Sequence, residues 1–238
     1  MDYRSCGWKE HTLMKHINIA IDGPAGAGKS TAAKMVAREL RIHYLDTGAM
    51  YRALGLYLLR KGIDPRDRAM VEKNVPSADI RIGYDEEGAQ HVFLKDEDVT
   101  AMIRTPEVSM AASSASAFPV ARDTLSALQR KVADQYDIIM DGRDITTNVL
   151  PDSKNKFYIT ASPEVRARRR FDELTASGVP ADYETVLAEI KTRDEQDSGR
   201  DYMPLRIAED ATVIDTSDLS IDEVVGLILQ SVKEKERS

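Results

Sequence analysis

The chain has 238 residues, of which 42% are hydrophobic and 31% charged, and this length can form one sizeable globular domain with a buried core. Its formal net charge of −7 argues against nucleic-acid binding over the whole surface, and no apolar run is long enough to cross a membrane, so we expect neither kind of partner. The single cysteine, Cys6, excludes an internal disulfide framework and favours a cytoplasmic location.

The start of the chain shows no periodic pattern. We therefore predict a disordered extension over residues 1–13, followed by a single domain over residues 14–238. In the alternative interpretation, Trp8 anchors this extension on the surface of the domain.

The domain begins with a β-branched stretch at 17–21 that predicts a buried strand. The sequence GPAGAGKS at 23–30 then fits the P-loop pattern GxxxxGK[ST], and helix formers continue to residue 40. This order predicts a nucleoside triphosphate site, because glycines let backbone N–H groups surround phosphates and a helix N-terminus favours negative charge. Lys29 is expected to reach the β- and γ-phosphates, and Ser30 to bind Mg²⁺. The predicted triphosphate-binding residues are Gly23, Pro24, Ala25, Gly26, Ala27, Gly28, Lys29, Ser30 and Thr31.

The rest of the chain alternates between strand and helix patterns. Further core strands are predicted at 42–46, 137–141, 156–160 and 212–216. Helices are predicted at 47–61, from 106, at 119–136, from 163, and at 220–233. This alternation predicts an α/β fold with a doubly wound parallel sheet, built from core segments 14–74, 136–160 and 209–238.

Two segments interrupt the alternation. A hairpin with strands at 80–84 and 91–94 does not belong in a parallel series, so we expect an inserted lobe over 75–135. The segment 161–208 is charged and helical, with Gly178 and Gly199 as candidate pivots. It is interpreted either as a lid that excludes water from the phosphates or as a plain helical hairpin on the surface.

The ligand crevice should lie at the carboxyl ends of the strands, where Asp46 and Asp141 are expected beside the P-loop. Asp141 is a candidate to hold Mg²⁺ together with Ser30, as the carboxylate at a strand end does in P-loop sites. The alternative is that Asp141 accepts hydrogen bonds from loop N–H groups.

Arginines accumulate around the same crevice, and planar guanidinium groups suit phosphate oxygens. Arg193 and Arg200 are seven residues apart, so they share a helix face if the helix continues that far. The alternative for all of these arginines is that they are charged side chains on a solvent-exposed helix face. For a further run of arginines at 166–170, this alternative is favoured over contacts with the donor phosphates. The candidate phosphate-binding arginines are Arg52, Arg143, Arg193 and Arg200.

Five motifs, at 21–31, 45–52, 141–144, 190–194 and 208–211, resemble bacterial-type cytidylate kinase, and the similarity extends from Met14 to about Leu229. The resemblance implies a P-loop kinase that transfers the γ-phosphate of ATP to CMP or dCMP with Mg²⁺, with an inserted monophosphate-binding lobe. It implies that the acceptor phosphate is held by Arg52, Arg143 and Arg200, and that cytosine is surrounded by Thr47, Ser113, Arg122 and Asp144. Arg193 and Asp197 would lie near the sugar and the transferred group. The catalytic residues would be Lys29, Arg143, Arg193 and Arg200.

The chain departs from the family at Thr146, where glycine is usual, and over the segment 201–204. We expect a monomer. One rival function is phosphorylation of another monophosphate or small metabolite. A rival of a different class is a nucleotide-dependent switch or ATPase, although the sequence NKFY at 155–158 lacks the carboxylate of a guanine-reading NKxD motif.

Overall fold

The computed structural model describes residues 16–237, so the predicted extension over 1–13 lies outside the described residues. The strands are β1 (Asn18–Asp22), β2 (His43–Asp46), β3 (Ile80–Tyr84), β4 (Gln90–Leu94), β5 (Glu97–Asp98), β6 (Ile138–Gly142), β7 (Asn155–Thr160) and β8 (Thr212–Asp215). The α-helices are α1 (Lys29–Leu40), α2 (Thr47–Arg60), α3 (Arg68–Asn74), α4 (Pro106–Ala115), α5 (Pro119–Ala133), α6 (Pro163–Ala176), α7 (Tyr183–Ser198) and α8 (Ile221–Lys235). Short 3-10 helices span Val75–Ser77 and Met102–Arg104, and a π-helical turn spans Ile145–Val149.

The central sheet has five parallel strands in the order β2–β6–β1–β7–β8. β1 lies in the middle, with Ile21 opposite Asp141 of β6 and Phe157 of β7. Because parallel strands end at the same edge of a sheet, this register brings the end of β1 beside the ends of β2 and β6. The predicted α/β fold with a doubly wound sheet is confirmed.

Both faces of the sheet are covered by helices, as an all-parallel sheet requires. Side chains alternate along β1: Ile19 and Ile21 belong to a cluster with residues of α1 and α8, whereas Ala20 belongs to a cluster with residues of α2 and α5. The strand period of two therefore divides the hydrophobic core into two layers.

The segment predicted as an inserted lobe contains the antiparallel sheet β3–β4–β5 together with α4 and α5. It is not separated from the central sheet by a gap in the core, since Val92 and Val108 share a hydrophobic cluster with Leu45. The approach of α4 to α2 is close: a Cβ added to Gly55 would lie 2.8 Å from the backbone nitrogen of Ala112. The boundaries 75–135 stay a prediction.

The helices α6 and α7 form a hairpin with a small cluster of its own, built on Ala167, Val186 and Ile190. The predicted start of α6 is confirmed, because the Ser162 side chain accepts a hydrogen bond from the backbone N–H of Val165. Among the helices of residues 16–237, none is long and apolar enough to cross a membrane.

Candidate active site

The P-loop connects β1 to α1 at the carboxyl edge of the sheet. Gly23 adopts φ 147°, and a Cβ there would lie 1.9 Å from the carbonyl oxygen of Ile159, so only glycine fits. Gly28 precedes α1 in the left-handed region, and no side chain caps the helix. The N–H groups of the first helical turn are therefore available to an anion, as predicted for a phosphate site.

Lys29 lies at the start of α1 and is only 5% exposed. Its Nζ donates a hydrogen bond to the carbonyl oxygen of Pro24 at 2.7 Å. Burial, aided by the nearby positive charge of Arg143, lowers the pKa of Lys29 to about 7. The site therefore holds a destabilised ammonium group that phosphate oxygens would stabilise.

Asp141, near the end of β6, is the centre of a group of hydroxyls. Its carboxylate accepts hydrogen bonds from Ser30 and from Tyr44, each at 2.7 Å, and its backbone carbonyl accepts one from Thr47. Burial and the neighbouring charge of Asp46 raise the pKa of Asp141.

The residues around Asp141 fit Mg²⁺. A buried carboxylate whose ionisation is disfavoured and a serine hydroxyl lie within hydrogen-bond distance of each other, so a divalent cation beside them would stabilise the charged form. Within residues 16–237 no cluster of three or more metal-ligating side chains occurs. Mg²⁺ is usually held by one or two carboxylates plus substrate phosphates, so this sparse donor set is the expected kind.

A cavity of about 330 Å³ opens beside the P-loop. It brings together every predicted catalytic, substrate-binding and metal-binding residue. These are Lys29, Ser30, Thr47, Arg52, Ser113, Arg122, Asp141, Arg143, Asp144, Arg193, Asp197 and Arg200. A larger cavity, of about 780 Å³, lies beside β2 and the outer side of α1 and contains none of the predicted catalytic residues.

One wall of the cavity near the P-loop carries two arginine–carboxylate pairs. Arg52 donates to Asp46 at 2.7 Å, and Arg122 donates to Asp144 at 2.6 Å. The second pair is nearly inaccessible, with side chains 3% and 6% exposed. The Nε atoms of Arg52 and Arg122 are buried and have no hydrogen-bond partner in the described part of the chain. Buried donors of this kind are normally satisfied, so a bound ligand is the expected acceptor.

Another part of the cavity wall is formed by three arginines and one carboxylate. Asp197 of α7 accepts from Arg143 Nε at 2.6 Å and also from Arg200. Burial opposes ionisation of Asp197, but Arg143 and Arg200 outweigh it and hold its pKa below the usual value. Arg193 lines the same wall and makes no hydrogen bond or ion pair with residues 16–237. This wall is therefore positively charged and suits a phosphate.

Arg193 and Arg200 were expected to share a helix face only if the helix continued to residue 200, and this condition is not met. α7 ends at Ser198, and Gly199 and Arg200 follow it in a non-helical conformation. Arg200 reaches the cavity from this turn because its guanidinium pairs with Asp197, three residues earlier.

Comparison with known proteins shows the family to which the chain belongs. The family model described as Cytidylate kinase matches residues 19–234, which is nearly the whole chain. This chain belongs to the cytidylate kinase family. The cytidylate kinase of Caldicellulosiruptor bescii is 52% identical over 217 residues, covering 91% of this chain and 96% of that protein. The cytidylate kinase of Mycobacterium leprae is 47% identical over 223 residues, covering 93% and 98%.

A solved structure supports the fold alone. An uncharacterized protein from Eubacterium ventriosum matches with a TM-score of 0.50 and 13% identity, over 92% of this chain and 99% of that chain.

The structure also identifies one buried arginine beside the P-loop that the sequence did not indicate. Arg166, assigned to solvated charge, is 2% exposed, and it forms a double hydrogen bond to Asp194 at 2.9 and 2.6 Å. It also donates to the carbonyl oxygen of Ala25 at 3.2 Å, so it joins α6, α7 and the P-loop. Nothing in the spacing of the run at 166–170 distinguishes this arginine from its neighbours.

A third cavity, of about 310 Å³, lies on the other side of the P-loop. Predicted residues Ala27, Gly28 and Thr31 line it, whereas Gly23 and Pro24 line neither this cavity nor the one that contains Lys29. Arg169 also lines it, and its guanidinium donates to the backbone oxygen of Thr216 at 2.6 Å. The P-loop thus separates two cavities.

Proposed function

We propose that the protein transfers the γ-phosphate of ATP to CMP or dCMP and releases ADP with CDP or dCDP. The observation that carries the proposal is a single cavity that joins Lys29 of the P-loop to the buried Arg122–Asp144 pair. The names of the curated relatives, which match almost end to end, point to the same acceptor.

The donor is assigned to the P-loop side. The triphosphate would lie along the backbone N–H groups at the start of α1, with Lys29 on the β- and γ-phosphates. The cavity lined by Arg169, Thr216 and Leu219 has the position and the mixed apolar and cationic lining expected for the adenine. Ser30 and Asp141 are the residues that would hold Mg²⁺, which, when bound, neutralises phosphate charge.

The acceptor is assigned to the opposite end of the cavity. Arg52, Arg143 and Arg200 would bind the monophosphate, because guanidinium groups pair well with phosphate oxygens. Thr47, Ser113, Arg122 and Asp144 would surround the base, and Arg193 and Asp197 would lie near the sugar and the transferred group.

The Arg122–Asp144 pair suits cytosine. The N4 amino group of cytosine donates to a carboxylate, and its N3 and O2 atoms accept from a guanidinium. Uracil presents an oxygen where cytosine has the amino group, so Asp144 would face an acceptor and repel it. Because both side chains are almost fully buried, water cannot replace the missing hydrogen bond.

Catalysis follows from positioning and charge. The acceptor is already an anionic phosphate, so no general base is required. Lys29 and the arginines stabilise the charge that spreads over the transferred group, in a geometry fixed before the reaction. The hairpin of α6 and α7 is proposed as a lid over the phosphates, since α7 supplies Arg193 and Asp197 to the cavity.

We also propose that the protein acts as a cytoplasmic monomer. The twelve predicted catalytic, substrate-binding and metal-binding residues meet in one cavity of this chain without a contribution from a second copy, and the single cysteine fits a reducing compartment. Sedimentation equilibrium at assay concentration tests the oligomeric state: a dimer would contradict this part of the proposal.

The switch alternative is weakened by the location of the NKFY sequence. Asn155 begins β7 and lies opposite Ile19, at the amino end of the sheet, away from the P-loop. Lys156 is paired with Asp210 at 2.8 Å. A side chain at the amino edge of the sheet cannot contact a base that is bound at the carboxyl edge.

An ADP-release assay with ATP and Mg²⁺ tests the function, run separately with CMP, dCMP, UMP, AMP, GMP and no acceptor. We expect release to depend on CMP or dCMP and to be lost in Lys29→Ala. Release without any acceptor would identify an ATPase or a switch. Faster release with another monophosphate would overturn the base assignment and leave the kinase assignment intact.

A further inference from the structure

A buried carboxylate joins the two halves of the proposed active site. Asp22 is the last residue of β1, directly before the P-loop, and its relative exposure is 0%. It accepts three hydrogen bonds: from the backbone N–H of Ile145 at 2.9 Å, from the backbone N–H of Thr146 at 2.7 Å, and from the Thr146 hydroxyl at 2.6 Å. All three donors belong to the π-helical turn that follows Asp144.

Asp22 depends on these bonds, because a buried carboxylate without partners is costly. Burial raises the pKa of Asp22 to about 6, and the hydrogen bonds from Thr146 and Ile145 work against this rise. No lysine or arginine of residues 16–237 forms an ion pair with it. The π-helical turn therefore stabilises the Asp22 carboxylate with hydrogen bonds, whereas arginines stabilise the carboxylates of Asp144 and Asp197.

The turn begins where the proposed acceptor residues end. Arg143 and Asp144 directly precede the turn. Arg143 pairs with Asp197, and Asp144 pairs with Arg122. Single π-helical turns often mark functional sites, because the extra residue redirects the chain. A change in how the turn sits on Asp22 would therefore move both side chains relative to the P-loop.

We propose that Asp22 and Thr146 form a positioning clasp for phosphoryl transfer, in which the Thr146 hydroxyl fixes Arg143 and Asp144 against the strand that leads into the P-loop. Thr146 touches no substrate in this proposal and acts through its neighbours. The inference rests on the proposed function, because its effect is measured as a change in the steady-state kinetics with CMP.

Thr146 offers a matched pair of substitutions. Thr146→Val keeps the shape and removes the hydroxyl, and Thr146→Ser restores it. Thr147 is the control: it is the next residue of the same turn, but it is exposed, so Thr147→Val makes the same chemical change away from Asp22.

Steady-state kinetics with CMP and ATP then test the clasp. The Thr146 hydroxyl bonds to a charged group, so the bond is a strong one, and because part of its strength is expressed in positioning, kcat/KM for CMP should fall about ten-fold in Thr146→Val. The KM for ATP should stay within about two-fold of the wild type, since the P-loop backbone is unchanged. Thr146→Ser and Thr147→Val should both resemble the wild type.

Two results would overturn the clasp: an unchanged kcat/KM for CMP in Thr146→Val, or a Thr146→Ser variant as impaired as Thr146→Val. An equal rise in the KM of both nucleotides would also count against it, because it would indicate general disruption.

A readout without substrate separates this inference from the proposed function. Amide hydrogen exchange at Ile145 and Thr146 should be faster in Thr146→Val than in Thr147→Val, and equal rates would overturn the clasp. A wild type with no acceptor-dependent ADP release would overturn the proposed function, and exchange would still decide whether the clasp exists.

Discussion

The charge on Lys29 should cost stability in the protein without nucleotide. Its pKa is displaced from the usual 10.5 to about 7 by burial, which corresponds to up to about 5 kcal/mol, since one pKa unit is about 1.4 kcal/mol. Lys29→Met keeps most of the volume and removes the charge, but it also leaves the carbonyl oxygen of Pro24 without its 2.7 Å donor, at a cost of about 1–3 kcal/mol. The variant should therefore be more stable by about 1–3 kcal/mol at pH 7, while turnover falls at least about 100-fold.

The assay is thermal unfolding at several pH values, where each kcal/mol shifts Tm by about 2–4 °C for a domain of this size. The folded-state pKa is below the unfolded value, so the wild type carries no penalty above pH 10.5 and the full penalty below about pH 7. The variant should unfold about 2–12 °C higher at pH 7, and this advantage should shrink and then reverse as the pH rises toward 10, because only the loss of the hydrogen bond to Pro24 then remains. Lys34→Met, at an exposed site of the same helix, is the control and should change little. A variant that is less stable at pH 7, or a difference that does not vary with pH, would refute the reasoning.

Three further predictions concern the carboxylates of the site. Asp144→Ala should raise the KM for CMP at least about ten-fold and leave the KM for ATP unchanged in steady-state kinetics, because Arg122 and the cytosine amino group both lose their acceptor; an unchanged KM for CMP would contradict this. Asp197→Asn should lower stability by about 3 kcal/mol in denaturant titrations, because the arginines around it lose their common partner. Sulfate should recover part of that loss by binding the arginines, and a variant insensitive to sulfate would contradict the charge argument. Asp141→Asn should raise the Mg²⁺ concentration for half-maximal activity about ten-fold, and an unchanged Mg²⁺ requirement would exclude this carboxylate as a metal ligand.

Much of the fold could be predicted from local sequence. The P-loop is a contiguous pattern whose glycines are required by backbone geometry, as the 1.9 Å approach at Gly23 illustrates. Helix starts at 106 and 163 were also predictable, because a side-chain cap followed by proline acts within four residues. The location of Asp46 and Asp141 beside the P-loop required only that the ends of parallel strands meet at one edge, whereas the order of the strands did not follow from the sequence.

Contacts between distant segments could not be predicted in the same way. Arg166 looks like its neighbours in the run, and only the position of α7 and the P-loop buries it. The hydrogen bond from Thr146 to Asp22 joins residues that are 124 positions apart, and no spacing rule links them. The turn after Gly199 likewise depends on tertiary contacts: the Leu205 N–H bonds to the carbonyl oxygen of Asp197.

The continuous core between the central sheet and the segment 75–135 is also a tertiary property. Alternating residues of β3 and β4 predict a hairpin with one buried face, but they do not indicate what covers that face. The structure shows that Val92 belongs to the cluster that contains Leu45 of the central sheet.

The most direct test of the central claim is ³¹P NMR of one reaction that contains enzyme, Mg²⁺, ATP and CMP. Transfer within the cavity predicts ADP and CDP appearing in equal amounts with no inorganic phosphate, and no ADP when CMP is omitted. Inorganic phosphate formed at the same rate with and without CMP, or ADP formed without CDP, would contradict the account.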